Sequence, residues 1–269
     1  MENPELISDL PDGLRESGAI EVRKKLGTIF GGDVLDVGTE DGGFINTLMK
    51  TLNNYNSFTG IDISEDELKK ARDQFKDAQA KFIVMNAEKM TFQDNQFETV
   101  CASYSIHHLE NVDAVLAEMY RVLKLGGNFI IQEMYSDGKQ SAAQFVDRDV
   151  SHFNVKVDSL LGTPHFETLT RQKLRDSVNK VGLSNVEVFE SSWSVKCLYC
   201  DDAHDCEDPT RAEHIDFVLK QIDDDLNRVH EHPSYDELRV EADSLKERVK
   251  AEGSAAASLM YFFGTKKKG

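Results

Sequence analysis

Two carboxylates in this chain follow apolar runs, where a turn of backbone would leave them beside a ligand. The first lies in Val34-Leu35-Asp36-Val37-Gly38-Thr39-Glu40-Asp41-Gly42-Gly43-Phe44. That stretch reads as an apolar strand ending on an acidic residue and a glycine, then a Gly-rich turn, then the start of an amphipathic helix. The second lies in Phe58-Thr59-Gly60-Ile61-Asp62-Ile63-Ser64. Glycines let backbone approach a ligand, and a carboxylate at the next strand end accepts from both ribose hydroxyls. Together they describe a nucleotide site on a parallel sheet. Taken singly, Asp62 could be a helix-start carboxylate beside Ser64, and Gly38 a strand-end turn; their joint order carries the reading.

A second constellation is sulfur-rich. Cys197 and Cys200 form a CxxC pair, with His204 and Cys206 close behind. This spacing permits a tetrahedral zinc site of three thiolates and one imidazole. A complete zinc signature has two separated pairs, so plain thiols in a reduced cytosol and a soft-metal or metalloid substrate site both stay open. Cys101, within an apolar run, reads as a small buried hydrophobe.

Elements that would position these residues alternate between strand and helix, the pattern of a parallel α/β sheet. Ile20, Leu26 and Phe30 have roughly helical spacing and predict an N-terminal helix. Strands are expected at 34–37, 58–63, 81–85, 97–103, from 129, at 186–189 and at 258–264. Helices are expected at 43–52, after Ser64 with Glu67 as a capping box, at 113–123 with Gly126-Gly127 as its stop, and from Thr170 to Gly182. Two polar helical stretches, about 212–230 and 235–251, separate the last two strands. Ile215, Val218, Leu219, Ile222 and Leu226 make one apolar stripe, and Leu238, Val240, Leu245 and Val249 another. They predict a helical hairpin packed on its neighbours, which is compatible with a lid over the pocket.

The chain has 269 residues, ample for a sizeable core, and a formal net charge of -17. That charge argues against nucleic acid, which needs a basic stripe. The basic cluster Lys266-Lys267-Lys268 reads as a solvated tail. Residues 1–10 lack the pattern of a signal peptide, and no apolar run is long enough to span a bilayer. With cysteines that do not resemble a secreted disulfide scaffold, the expectation is a cytosolic (cytoplasmic) protein.

In this order the motifs resemble the class I S-adenosylmethionine-dependent methyltransferases, in the branch with His-His after the fourth strand. The likeness is close over about residues 32–132 and looser over 170–189. It implies a Rossmann-like seven-stranded sheet of order 3-2-1-4-5-7-6, with strand 7 antiparallel and helices on both faces. On this plan residues 32–192 and 254–269 form the core, 1–31 an N-terminal helical segment, and 193–253 a helical insertion between strands 6 and 7. The implied cofactor is S-adenosylmethionine. Asp36, Gly38, Thr39, Glu40 and Gly42 would wrap its methionine part, Asp62 its ribose, and Ile63 its adenine face. Asn86 and Ala87 match the adenine-reading turn, where the family usually has Asp in place of Asn86. Ser103, Ile106, His107 and His108 match the fourth strand and the loop over the reacting methyl. Leu125 stands where the family usually has Pro, and Glu40 where it has its middle glycine. Glu40 either turns outward on a relaxed loop or faces the cofactor's positive amino group or sulfonium.

The implied activity is methyl transfer to a small molecule. The cofactor carries the hard chemistry, so the enzyme must align a nucleophile and exclude water. His108 is the candidate base or acceptor-orienting residue, whereas His152 and His165 read as surface or packing residues in the segment walling the acceptor pocket. That wall is expected from loops at 140–164 and 196–251. Two rival functions are a binding protein or assembly factor without turnover, and methyl transfer to a protein side chain. Neither the acceptor nor the oligomeric state is encoded in a recognisable motif.

Overall fold

A computed structural model describes residues 19–76, 78–138, 140–163, 165–191 and 209–268. Among these residues, helix α1 (Ala19–Gly27) leads into β1 (Asp33–Val37), α2 (Gly43–Thr51), β2 (Ser57–Asp62), α3 (Glu65–Gln74) and β3 (Ala80–Val84). Next come β4 (Phe97–Ser103), a single 3-10 turn (Ile106–His108), α4 (Val112–Val122) and β5 (Leu123–Met134). The chain continues through α5 (Ala142–Leu160), α6 (Arg171–Lys180), β6 (Ser184–Ser191), α7 (Ala212–Arg228), α8 (Tyr235–Glu252) and β7 (Leu259–Thr265).

The strands form one seven-stranded sheet in the order β3-β2-β1-β4-β5-β7-β6. Pairs among β1 to β5 are parallel, and β7 is antiparallel to both β5 and β6. The expected topology is therefore present. Buried strands such as β1, with Val34 to Val37 all buried, need helices on both faces, and the apolar residues divide accordingly into two clusters. One contains Leu35, Val100, Phe129 and the buried side chains of α4 and α6. The other contains Val34, Phe58, Ile130 and those of α2 and α3. The order reverses between β1 and β4, and open α/β sheets bind ligands at such a reversal, beyond the carboxyl ends of the strands.

Local chemistry explains several boundaries. The Ser64 hydroxyl accepts from the Glu67 N–H, and Thr170 does the same for Lys173, satisfying amides that a helix start would leave unpaired. Gly126-Gly127 does not stop a helix as expected. The helix ends at Val122 and β5 starts at Leu123, because Gly126 N–H donates to Lys266 O and Lys266 N–H donates to Gly127 O, extending the pairing with the end of the chain. Lys266 is likewise no solvated tail residue. It is 9% exposed, and its ammonium donates to the carbonyls of Tyr120 and Leu123, closing the end of α4. Phe30, expected on the N-terminal helix, lies beyond it and is exposed.

The segment around 140–164, expected as a loop, is largely the 19-residue helix α5. Ser141 and Gln144 make a complete capping box at its start, and Val146, Val150, Phe153 and Val157 form its apolar stripe. That stripe packs against the hairpin of α7 and α8, which falls close to its expected bounds. The three helices share a third core of Val146, Phe153, Val218, Ile222, Leu226, Leu238, Ala242, Leu245 and Val249. Val240, placed on the stripe from spacing, is instead 67% exposed, and Ala242 takes the buried place. Among the described residues no helix is long and apolar enough to cross a membrane. Ile222 is fully buried in this third core. Ile222→Ala should therefore cost about 2–5 kcal/mol in urea unfolding, and a loss under about 1 kcal/mol would contradict the packing.

Candidate active site at the strand ends

The turn after β1 is built by backbone conformations that few side chains tolerate. Gly38, Glu40 and Gly42 have φ of 69°, 47° and 88°. A Cβ on Gly38 would lie 2.6 Å from the Ser105 Cβ, and one on Gly42 would lie 2.5 Å from the Phe75 ring. Both glycines are thus required by conformation and by space. Glu40 adopts the left-handed region without that freedom, which marks a constrained position. Gly38 and Thr39 donate their N–H groups to Ile61 O, tying the turn to β2.

Two carboxylates anchor it. Asp36, 1% exposed at the end of β1, accepts from Thr39 Oγ1 at 2.7 Å. Burial raises its pKa to about 7, against the lowering effect of Thr39 and Cys101, with Asp62 and Glu40 adding repulsion. Asp62, half-buried at the end of β2, accepts from Glu40 N–H through Oδ2 at 3.1 Å and from Ser64 N–H through Oδ1 at 2.9 Å. Each oxygen keeps a further lone pair. The Glu40 carboxyl is also pushed above its ordinary value, by partial burial first and then by Asp62 and Asp41. Among the described residues, none of Asp36, Glu40 and Asp62 is ion-paired with a lysine or arginine. Cys101 is fully buried beside Asp36, as its reading as a small hydrophobe requires, and its thiol pKa is raised by that burial.

The remaining expected residues surround this turn. Ile63 follows Asp62 and is 76% exposed, an apolar plate left open. Asn86 is exposed after β3, and its Oδ1 accepts from the Glu88 N–H at 2.8 Å, so one of its two acceptor positions is already used. Ala87 packs against the core beside it. Ser103 ends β4 opposite Gln132 of β5. Gln132 was not expected from sequence: its side-chain Oε1 and Nε2 are buried with no hydrogen-bond partner among the described residues.

The histidines are arranged differently from expectation. His107 is the buried member of the pair, and its Nδ1 lies 2.9 Å from Glu133 Oε1. Glu133, fully buried on β5, also accepts from the N–H groups of Ile106 and Met134. Burial alone would lower the His107 pKa; the Glu133 carboxylate outweighs it, so the net shift is upward. His108 is exposed at the protein surface, yet desolvation of its ring, with His107 and His165 beside it, pushes its pKa down to about 4. A ring neutral at pH 7 with that pKa is a weak base, which leaves His108 suited to orienting an acceptor. His165 is not a simple surface residue. It stacks on His108 with centroids 4.8 Å apart, and its Nδ1 meets Asp158 Oδ2 at 2.7 Å. His152 does fit a packing role, with Nε2 2.9 Å from Thr168 Oγ1. Glu133 and Asp158 carried no sequence signal of their own, because each lies far along the chain from the histidine it meets, or in a segment expected as a loop. Cys197, Cys200, His204 and Cys206 lie outside the described residues.

Comparison with known proteins agrees with this geometry. A methyltransferase-domain family model matches residues 35–131, spanning β1 to most of β5. The ubiquinone/menaquinone biosynthesis C-methyltransferase UbiE of Desulfotalea psychrophila is 34% identical over 122 residues, covering 45% of this chain and 49% of that protein. The chain thus aligns with about half the length of that relative. The UbiE protein of Burkholderia mallei is 31% identical over 186 residues, covering 63% of this chain and 74% of that protein. A phosphoethanolamine N-methyltransferase 2 of Haemonchus contortus, solved in complex with S-adenosyl-L-methionine, shares the fold with a TM-score of 0.53 and 18% identity, over 93% of this chain and 52% of that one. With the expected sheet order, the glycine turn and the paired strand-end carboxylates in place, the chain belongs to the class I S-adenosylmethionine-dependent methyltransferase family.

Proposed function

We propose that this protein transfers the methyl group of S-adenosylmethionine to a small-molecule acceptor. The observation that carries the proposal is the grouping of Asp36, Glu40 and Asp62 around a glycine turn, with no lysine or arginine ion-paired to them among the described residues. Buried or crowded carboxylates without a cation are unfavourable. A ligand bearing a ribose diol, an ammonium and a sulfonium relieves that cost: Asp62 accepts from the diol, and the positive groups lie among the carboxylates. Ile63 supplies the apolar face for adenine, Asn86 and Ala87 the edge beside it, and Gly38, Thr39 and Gly42 the close backbone approach. Ser103 and the orphaned Gln132 amide, at neighbouring strand ends, offer further polar contacts.

In the reaction an acceptor nucleophile forms a bond to the methyl carbon while the carbon–sulfur bond breaks. The electron pair stays on sulfur, giving S-adenosylhomocysteine, and the acceptor's proton passes to solvent or a base. The protein's share is alignment and exclusion of water. His108, neutral at working pH, orients the acceptor by hydrogen bonding. The bundle of α5, α7 and α8 forms the acceptor-side wall, because Arg228 of α7 and Asp158 of α5 pair and Asp158 in turn holds His165 against His108. The net charge of -17 favours a small acceptor over nucleic acid.

Four measurements test this. Asp62→Ala should weaken calorimetric binding of S-adenosylmethionine at least about 10-fold, the loss of two charge-assisted hydrogen bonds, without loss of fold; unchanged affinity would remove Asp62 from the site. Because the Asp36 pKa is raised to about 7 without ligand, a cationic ligand must favour its ionised form and release a proton. Affinity should therefore rise from pH 6 to pH 8 and flatten above, and Asp36→Asn should abolish the slope; a flat wild-type profile would contradict the placement of positive charge beside Asp36. Glu40→Gly should alter stability by less than about 1 kcal/mol and still weaken cofactor binding, whereas unchanged binding would mean that Glu40 only turns outward. Formation of S-adenosylhomocysteine with metabolite extract separates turnover from a protein that binds the cofactor without reaction.

A further inference from the structure

Three imidazoles converge where the end of β4 meets the α5–α6 connection. One ring nitrogen each from His107, His108 and His165 can be chosen so that all lie within 4.8 Å of one another. The rings form a continuous series, with centroids 4.0 Å apart for His107 and His108 and 4.8 Å for His108 and His165. Two of them are oriented from behind by carboxylates. Glu133 meets Nδ1 of His107 at 2.9 Å, and Asp158 meets Nδ1 of His165 at 2.7 Å. A carboxylate at Nδ1 places the ring proton on that nitrogen and leaves the Nε2 lone pair facing away. The carboxylate–histidine pair is the usual support behind a metal-ligating imidazole, because it fixes the tautomer, holds the ring and raises its donor strength.

The supports are themselves braced. Glu133 is fully buried and accepts two backbone N–H groups besides His107. Asp158 is paired with Arg228 of the helical bundle as well as with His165. His107 and His108 come from the 3-10 turn after β4, and His165 comes from the segment following α5, so the cluster bridges the core and the bundle. A simple packing role would not call for separate carboxylates behind the two outer imidazoles, His107 and His165, that flank His108.

We propose that His107, His108 and His165 form a three-imidazole site for a divalent transition-metal ion. Imidazole nitrogens bind such ions at about 2.0–2.1 Å, which puts neighbouring donors roughly 3.3 Å apart in a tetrahedron. Small side-chain rotations close the difference from the spacing in the ligand-free cluster. Three protein ligands leave one coordination position, and exposed His108 places it toward solvent. Resting on the proposed function, an oxygen of the acceptor occupies that position and is held, with its proton acidified, beside the reacting methyl. Ion binding itself does not depend on methyl transfer.

The test uses the full chain, prepared without an affinity tag, stripped with chelator and titrated with Co²⁺ in the absence of cofactor and acceptor. The expected result is one equivalent showing the visible bands of four-coordinate cobalt with nitrogen and oxygen ligands. His165→Ala and His108→Ala, checked for native circular dichroism, should each weaken binding at least about 10-fold, and Asp158→Asn by about 10- to 100-fold. A variant with Cys197, Cys200 and Cys206 all changed to Ser should keep this signal. A second, thiolate-bound equivalent lost in the Cys variant leaves the proposal standing if the His-dependent equivalent remains. Absence of cobalt binding, or binding that shows only thiolate charge-transfer bands and ignores both His variants, overturns it. Because neither cofactor nor turnover enters the readout, that failure is distinct from failure of the methyl-transfer reading.

Discussion

Uncompensated negative charge at the carboxyl ends of β1 and β2 is the constraint on which the rest depends. Asp36 is buried beside a thiol, Asp62 holds two backbone amides, and Glu40 occupies a left-handed conformation between them. Burial raises the pKa values of Asp36 and Glu40, and their mutual repulsion with Asp62 adds to the shift. A fold that merely needed a tight turn here would gain by replacing two of the three. Their grouping around one turn is accounted for by a positively charged ligand.

The sheet determines where that charge lies. Asp36 pairs with Gly60 of β2 on one side and Cys101 of β4 on the other, at the reversal of strand order. Hydrogen bonds from the turn to Ile61, and from Glu40 and Ser64 to Asp62, then lock two successive strand ends to one another. The neighbouring ends of β4 and β5 carry Ser103 and Glu133, and through Glu133 the His107 ring. A separate helical core brings Asp158 and His165 to the far side of His108, so sheet and bundle meet at the histidines.

Most of the sheet and the glycine turn were legible in the sequence because parallel strands write long apolar runs, and turns with positive φ write glycines. The helices of the hairpin were legible for a similar reason, their stripes at helical spacing. What was not legible depended on contacts between distant residues. His108 looks like the better base until burial and two neighbouring imidazoles are seen to depress its pKa. His165 looks peripheral until α5 brings Asp158 beneath it. The helix α5 itself was readable, since Ser141 and Gln144 are a capping box followed by an apolar stripe, but its place in the expected wall of the acceptor pocket favoured the loop reading. Lys266 belonged to a basic run with the look of a tail, and only the pairing of the chain end with β5 shows why one of those lysines is buried.

The most direct test of the central claim is a crystal structure of the protein soaked with S-adenosylmethionine. The account predicts both ribose hydroxyls within hydrogen-bonding distance of the Asp62 carboxylate, and the ammonium and sulfonium on the side of Asp36 and Glu40. A cofactor whose sugar lies away from Asp62, or strand ends that stay empty at saturating cofactor, would contradict it.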